Sequence, residues 1–112
     1  MSSNVVWSPL AVADLDAAWE WLAIENDEPT AADKTVEAIL NRMDVVAAFP
    51  LASTPLDSVC QIRSDWRFVS ERVYLIFFRV TERRIYVDRV LSGKSDYLRK
   101  LFGVEDGTRF YL

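Results

Sequence analysis

The spacing of apolar residues changes about halfway along the chain. Through residue 48, apolar residues recur every three or four positions, which is the spacing of one face of a helix. This spacing predicts two amphipathic helices, over 9–25 and about 30–48. Because the polar link between them is short, we expect the two helices to form an antiparallel hairpin. From residue 66 onward the apolar residues alternate with a period of two, which is typical of strands.

Three strands are predicted in the second half of the chain, over 66–69, 73–80 and 84–91. The separators "SER" and "TER" are short enough for hairpins, so the strands should form an antiparallel meander. The middle strand is largely apolar on both of its faces, which predicts a central position in the sheet. A further short strand is expected over 4–7, and the segment 50–58, rich in Pro, Ser and Asp, is expected to be a loop.

Cap residues bound two of the predicted helices. Ser8 is a good N-cap for the first helix, and Pro9 suits its first position, where the backbone N–H has no helical partner. After the last strand, residues 95–102 can form a short helix, with Ser95 as its cap and Gly103 as the residue that ends it.

The predicted order of elements is β-α-α-β-β-β-α, which indicates an α+β domain with the helices on one sheet face. It consists of an N-terminal strand, an antiparallel helical hairpin, a three-stranded antiparallel meander and a short C-terminal helix. A length of 112 residues favours one domain. We place this domain at 1–103 and a C-terminal tail at 104–112.

Three side chains stand out within this pattern. Trp19 and Trp21 on the first helix are expected to pack in the core or between the helices, as apolar stripes usually do. Arg79 lies in an otherwise apolar strand. It either pairs with Asp88 across the predicted hairpin or points into a functional groove.

The absence of histidine excludes several kinds of catalytic site. No Ser-His-Asp triad or Cys-His pair can form, and a zinc site built on one cysteine is not expected. With three glycines the chain has no glycine-rich phosphate loop. We therefore expect no metal and no cofactor, and any catalysis would use Arg, Lys, Tyr, Ser or carboxylates. The lone Cys60 cannot form an internal disulfide, and no apolar run reaches the roughly 20 residues of a membrane helix, so we expect a cytoplasmic protein.

The net charge of −4 is the average of two unlike halves. Residues 1–60 carry two basic and ten acidic residues, a net of −8, whereas residues 61–100 carry ten basic and five acidic residues, a net of +5. This asymmetry indicates an acidic helical side and a basic sheet side. The simplest alternative to a two-sided molecule is that the arginines are only solvated side chains on the open face of the sheet.

Four segments, taken in order, resemble the RelE/ParE superfamily of bacterial type II toxins. They are "SPLAVADLDAAWEWLA", "AAFP", "RVYLIFFRV" and "IYVDRVLSGKSDYLRKLF". The resemblance covers about residues 5–103 and is to the ParE-like subgroup, often labelled plasmid-stabilisation proteins. Members of that subgroup tend to share a helix-opening Ser-Pro, a Phe-Pro after the second helix, an arginine before an aromatic-rich strand, and a Gly-Lys or Gly-Arg turn.

This resemblance implies a compact toxin encoded beside a labile antitoxin that wraps and neutralises it. A ParE-like toxin would inhibit DNA gyrase, which requires a binding surface but no catalytic residues. The alternatives are a RelE-like endoribonuclease that cuts mRNA in the ribosome, and a non-toxic relative that retains only antitoxin binding. The resemblance leaves open whether the chain forms a homodimer or a hetero-oligomer with its antitoxin.

Each interpretation has its own candidate residues. The candidate target-binding residues for gyrase are Arg89, Lys94, Tyr97, Arg99 and Lys100. The candidate catalytic residues of a ribonuclease are Arg72, Arg79, Arg89, Lys94 and Tyr97. These groups would activate the 2′-hydroxyl, protonate the leaving oxygen and stabilise the phosphate.

Two serines depart from the family pattern. Ser92 stands where ParE-like members tend to have an aromatic residue or histidine, and Ser95 stands where the nucleases have an arginine. A chain of net charge −4 is also poorly suited to binding the ribosome, whose RNA attracts cationic proteins. Ser95 and the net charge count against a ribonuclease, and the order of the four segments favours the ParE-like interpretation, although both serines also depart from the turn that ParE-like members share.

Overall fold

A five-stranded sheet forms the frame of the computed structural model, which describes residues 4–103. Its strands are β1 (Val5–Trp7), β2 (Thr54–Pro55), β3 (Trp66–Glu71), β4 (Tyr74–Val80) and β5 (Ile85–Ser92). The helices are α1 (Pro9–Glu20), α2 (Pro29–Ala48) and α3 (Tyr97–Phe102). A π-helical turn at Trp21–Glu25 continues α1, and a 3-10 turn at Leu56–Ser58 follows β2. The predicted tail 104–112 lies outside the described residues.

The strand order in the sheet is β1-β5-β4-β3-β2. Strands β3, β4 and β5 form the predicted antiparallel meander, and β4 lies at its centre. Strand β1 adds to the sheet in parallel beside β5, with Val5 opposite Ile85. The α+β architecture predicted from the sequence is therefore confirmed.

One short strand lies in a segment that was expected to be a loop. Strand β2 pairs with β3 through Thr54 and Pro55. The Arg67 guanidinium donates hydrogen bonds to Ser53 Oγ and to the Ser53 carbonyl oxygen, both at 2.7 Å. This tertiary contact holds β2 against the sheet, and local sequence signals could not reveal it.

Helix α1 begins as predicted, at a capped and tethered residue. Ser8 Oγ accepts a hydrogen bond from the Ala11 backbone N–H at 3.0 Å, and Pro9 is the first helical residue. The same hydroxyl donates to the Asp88 carbonyl oxygen at 2.9 Å. One serine therefore starts the helix and fixes its end to strand β5.

The largest apolar core lies between the helical hairpin and the sheet. Alternate residues of β4 supply Tyr74, Ile76 and Phe78 to it, as the period-two pattern predicts. Its fully buried members on the helices include Ala11, Ile39 and Met43. Because both helices cover this face, the opposite face of the sheet remains for α3.

A β-bulge in β5 changes which residues face the helices. Phe77 lies opposite Arg89 and Phe78 lies opposite Val87, so Asp88 is the extra residue. Phe77 belongs to a second cluster on the far face, together with Leu56 and Leu91. Partly buried side chains of α3, including Tyr97 and Phe102, pack on this cluster.

The predicted end of α3 is confirmed, but its predicted cap is wrong. Gly103 has φ +73°, a left-handed conformation that favours glycine at a helix end. The N-cap is Asp96, whose carboxylate accepts from the Arg99 backbone N–H at 3.4 Å. Ser95 instead donates its hydroxyl to the Ser92 carbonyl oxygen at 2.6 Å, which closes the turn between β5 and α3. Among the described residues, no helix is both long and apolar enough to cross a membrane.

Candidate interaction surface

The candidate target-binding residues lie in one stretch of chain, but their charges are not equally available. Arg89 binds Asp14 on α1, and Arg99 lies 3.4 Å from Asp96 within its own helix. Tyr97 packs its ring on Phe77. The full set of candidate target-binding residues is Arg89, Lys94, Tyr97, Arg99 and Lys100. Within residues 4–103, only Lys94 and Lys100 of this set are exposed cations without an ion pair.

Arg89 is held in a two-point contact with Asp14. Its Nε and Nη2 atoms donate to the two carboxylate oxygens at 2.8 and 3.0 Å, and the Val90 backbone N–H donates to the same carboxylate at 2.9 Å. The hydrogen bond to Asp14 raises the pKa of Arg89, although burial opposes the shift. Arg89 therefore joins α1 to the bulged part of β5, and its charge is already paired within the protein.

Arg79 pairs with Asp88 across the hairpin, one of the two alternatives that the sequence left open. Arg79 Nε and Nη2 donate to the Asp88 carboxylate at 2.7 and 3.2 Å. The Trp66 indole N–H donates to the same carboxylate at 2.7 Å. The hydrogen bond to Asp88 and the charge of that carboxylate raise the pKa of Arg79. One carboxylate thus joins β3, β4 and β5 on the outer face of the sheet.

The candidate ribonuclease residues are not brought into one cluster. The Gly93 backbone N–H bonds the Val73 carbonyl oxygen at 2.7 Å, which places the Lys94 turn beside the start of β4. Arg79 lies near the other end of β4, roughly 20 Å along an extended strand. Arg72, in the turn before β4, donates to Thr35 on α2 at 3.3 Å. A phosphate bound by Lys94 would be too far from Arg79 for a hydrogen bond.

A groove that sequence reasoning missed lies between α1 and the ends of β4 and β5. It has a volume of about 610 Å³. Its exposed large apolar residues are Trp21, 54% exposed, and Val73, 51% exposed, and Lys94 and Lys100 also line it. Burial raises the pKa of Tyr74, which lines the groove from the sheet. An apolar groove beside two unpaired ammonium groups suits a segment that is apolar on one side and acidic on the other.

The expectation for Trp21 was therefore wrong, and that for Trp19 was correct. The Trp19 indole N–H donates to Asp33 Oδ1 at 2.8 Å, so Trp19 lies between the two helices. Trp21 begins the π-helical turn, and together with Ile24 it is exposed. The available sequence signal was that both residues widen the apolar stripe of the helix beyond what one partner helix could cover.

Helix α3 is attached to the sheet through its two ends. Near its start, the Tyr97 ring lies 5.8 Å from the Phe77 ring between centroids. At its end, the Phe102 ring lies 5.1 Å from the Trp66 ring at an interplanar angle of 51°. None of the six residues of the helix is fully buried in the described part of the chain. Its exposed residues Arg99 and Lys100 thus extend from a helix whose orientation depends on aromatic contacts.

Comparison with known families gives one match that spans most of the chain. The family model described as "ParE toxin of type II toxin-antitoxin system, parDE" matches residues 5–97. The matched region extends from β1 through the Lys94 turn to the first residue of α3. No curated protein matches the chain.

A solved structure shares the fold. It is titled "Chromosomal ParDE TA system from P. aeruginosa" and superposes with a TM-score of 0.63 at 21% sequence identity. The superposition covers 80% of this chain and 94% of that chain. At this identity the likeness concerns the fold, and it agrees with the α+β arrangement of sheet, hairpin and short helix described above.

Proposed function

The chain belongs to the ParE family of type II toxins, and on that premise we propose that it inhibits DNA gyrase and is neutralised by a cognate antitoxin. The observation that carries the proposal is the family match over residues 5–97, which includes the Lys94 turn and the groove residues other than Lys100. Because gyrase acts on chromosomal DNA, the proposal also requires a cytoplasmic protein.

The surface proposed to meet gyrase is the end of β5, the following turn and the exposed side of α3. Lys94 and Lys100 contribute free ammonium groups there, and Arg99 adds a guanidinium that is 55% exposed. Exposed cations of this kind increase the rate of association with a negatively charged partner and fix its orientation. Arg89 is proposed to support this surface from beneath rather than to contact gyrase, because its charge is already paired with Asp14 and its side chain is only 21% exposed.

The surface proposed to bind the antitoxin is the groove between α1 and the sheet. Trp21 and Val73 would be covered by apolar side chains of the antitoxin, and Lys94 and Lys100 would pair with its carboxylates. The two proposed surfaces share these lysines. A bound antitoxin would therefore cover part of the surface that gyrase needs, which gives neutralisation a direct physical cause.

Induction of the protein in growing bacteria tests the proposal against the two alternatives. A gyrase inhibitor should arrest growth with double-strand breaks at gyrase sites and with intact mRNA. Ribosome-dependent cuts in mRNA that disappear in Lys94→Ala would instead identify a ribonuclease. Normal growth, combined with binding of the protein encoded by the adjacent reading frame, would identify a non-toxic relative.

A pair of matched variants tests the surface itself. Lys94→Gln with Lys100→Gln removes both free charges and should weaken gyrase inhibition by about tenfold, the effect of two lost ionic contacts at a partly exposed interface. Lys34→Gln is the control, because Lys34 is an exposed lysine on α2 that does not line the groove and lies outside the β5–α3 segment. Equal inhibition by the double variant and by the control would remove these lysines from the target surface.

A further inference from the structure

Asp88 occupies an unusual position on the outer face of the sheet. It is the extra residue of the bulge in β5, and its carboxylate accepts hydrogen bonds from Arg79 and from the Trp66 indole. The two donors belong to β4 and β3. Bulges commonly redirect a side chain, and here the redirected carboxylate lies where two neighbouring strands can reach it.

The indole bond fixes the orientation of a ring that supports α3. A tryptophan side chain rotates about two bonds, and a hydrogen bond to its N–H selects one orientation of the ring plane. Phe102, the last residue of α3, packs against that plane at 5.1 Å between centroids. The other aromatic support of the helix, Tyr97 on Phe77, is at the opposite end. The Trp66 ring is therefore the aromatic support of the C-terminal end of α3.

Arg79 holds the carboxylate in turn. Its guanidinium makes the two-point contact with Asp88 and lies 6.0 Å from the centre of the Tyr86 ring. A carboxylate held by such a fork has little freedom to rotate away from the indole. The chain of contacts thus runs from Arg79 through Asp88 and Trp66 to Phe102.

We propose that Asp88 is a positioning residue for α3: by holding the Trp66 indole in one orientation, it fixes the C-terminal end of the helix and the directions of Arg99 and Lys100. The expected effect of Asp88 on gyrase inhibition rests on the proposed function, whereas its expected effect on the placement of α3 does not. Asp88 itself lies on the sheet, beneath the exposed side of α3 that is proposed to meet the target.

Four variants test this proposal by NMR and by gyrase inhibition: Asp88→Ala, Asp88→Asn, Trp66→Phe, and Trp66→Phe combined with Asp88→Ala. Asp88→Ala should speed amide exchange at Lys100 and Gly103 by about tenfold and weaken the contact between the Trp66 and Phe102 rings, while amides of β4 and β5 keep their protection. Asp88→Asn should restore most of the protection, because its amide oxygen still accepts from the indole. Glu82→Ala is the control, since Glu82 is an exposed carboxylate in the turn between β4 and β5.

The double variant decides whether Asp88 acts through the indole. In the Trp66→Phe background, which has no indole N–H, the Asp88→Ala change should have no further effect on amide exchange in α3. Across the variants, the rank order of lost gyrase inhibition should match the rank order of increased exchange rates. An Asp88→Ala effect that is as large in Trp66→Phe as in the native chain, or unchanged α3 exchange in Asp88→Ala, would overturn the proposal. If α3 responds as expected but the native protein does not inhibit gyrase, the positioning role stands and the proposed function fails.

Discussion

Replacing Asp14 by alanine should destabilise the protein strongly, although Asp14 lies on a helix surface that faces partly to solvent. The substitution removes the acceptor of two Arg89 donors and of the Val90 backbone N–H. It leaves a guanidinium whose side chain is 21% exposed without its partner. Removing one member of a buried pair costs about 3–5 kcal/mol, and partial exposure here reduces the expected loss to about 3 kcal/mol.

That loss is large enough to measure easily. Unfolding free energies of domains this size are about 5–15 kcal/mol. With an unfolding entropy of about 2.1 cal/mol/K per residue, a loss of about 3 kcal/mol lowers the melting temperature by about 13 °C. Thermal and urea unfolding followed by circular dichroism provide both quantities.

Two companion variants sharpen the interpretation. Asp14→Asn keeps an acceptor for the Val90 N–H and for one Arg89 donor, so it should lose about half as much stability. Asp16→Ala is the control, because Asp16 is exposed on the same helix two residues later. A loss below about 1 kcal/mol for Asp14→Ala, or a loss equal to that of Asp16→Ala, would refute a structural role for the pair.

The ion pair of Arg89 and Asp14 should not make folding stability depend on pH in the neutral range. The hydrogen bond to Asp14 raises the pKa of Arg89 above its ordinary value. A raised folded-state pKa contributes stability that is present below the unfolded-state value and lost only as pH rises through the folded-state value. The free-energy difference between native chain and Asp14→Ala should therefore be the same at pH 6 and pH 9, and a marked change between them would contradict this assignment.

Three further predictions concern the core and the groove. Burial raises the pKa of Tyr74 above 10.0, so the contribution of Tyr74 to folding stability is full below pH 10 and decreases above it. Tyr74→Phe should therefore flatten the decline of stability at alkaline pH, and an unchanged decline would exclude Tyr74 as the source of that decline. Phe78→Ala empties a fully buried position and should cost about 3–5 kcal/mol in urea unfolding, against less than about 1 kcal/mol for Val73→Ala at a half-exposed position. Trp21→Ala should leave the melting temperature within a few degrees of native but weaken antitoxin binding at least tenfold by calorimetry, and native affinity would place the antitoxin elsewhere.

The periodicity of apolar residues was sufficient to predict the main elements, because each element has one solvent-exposed and one buried side or is buried on both sides. The alternation in β4 predicted which residues face the helices, and Tyr74, Ile76 and Phe78 do so. The parallel addition of β1 beside β5 could not be predicted in the same way. It joins segments about 80 residues apart, and nothing in three residues of strand specifies a partner.

The candidate site was predicted less well, because side-chain pairing depends on tertiary contacts. Arg89 was selected as a target-binding residue by its place in a basic stretch, yet Asp14, 75 positions earlier, binds it. Asp88 attracted attention only as a partner of Arg79, because a bulge that changes its direction leaves no local signal. The groove at Trp21 was missed because an apolar residue on a helix is more often covered than exposed.

Supercoiling by DNA gyrase, measured with the purified protein over a range of concentrations, with and without the protein encoded by the adjacent reading frame, tests the proposed function. The native chain should inhibit supercoiling at micromolar concentration or below, and an equimolar amount of the antitoxin should restore it. Full supercoiling activity in the presence of excess folded protein would refute gyrase inhibition by this toxin.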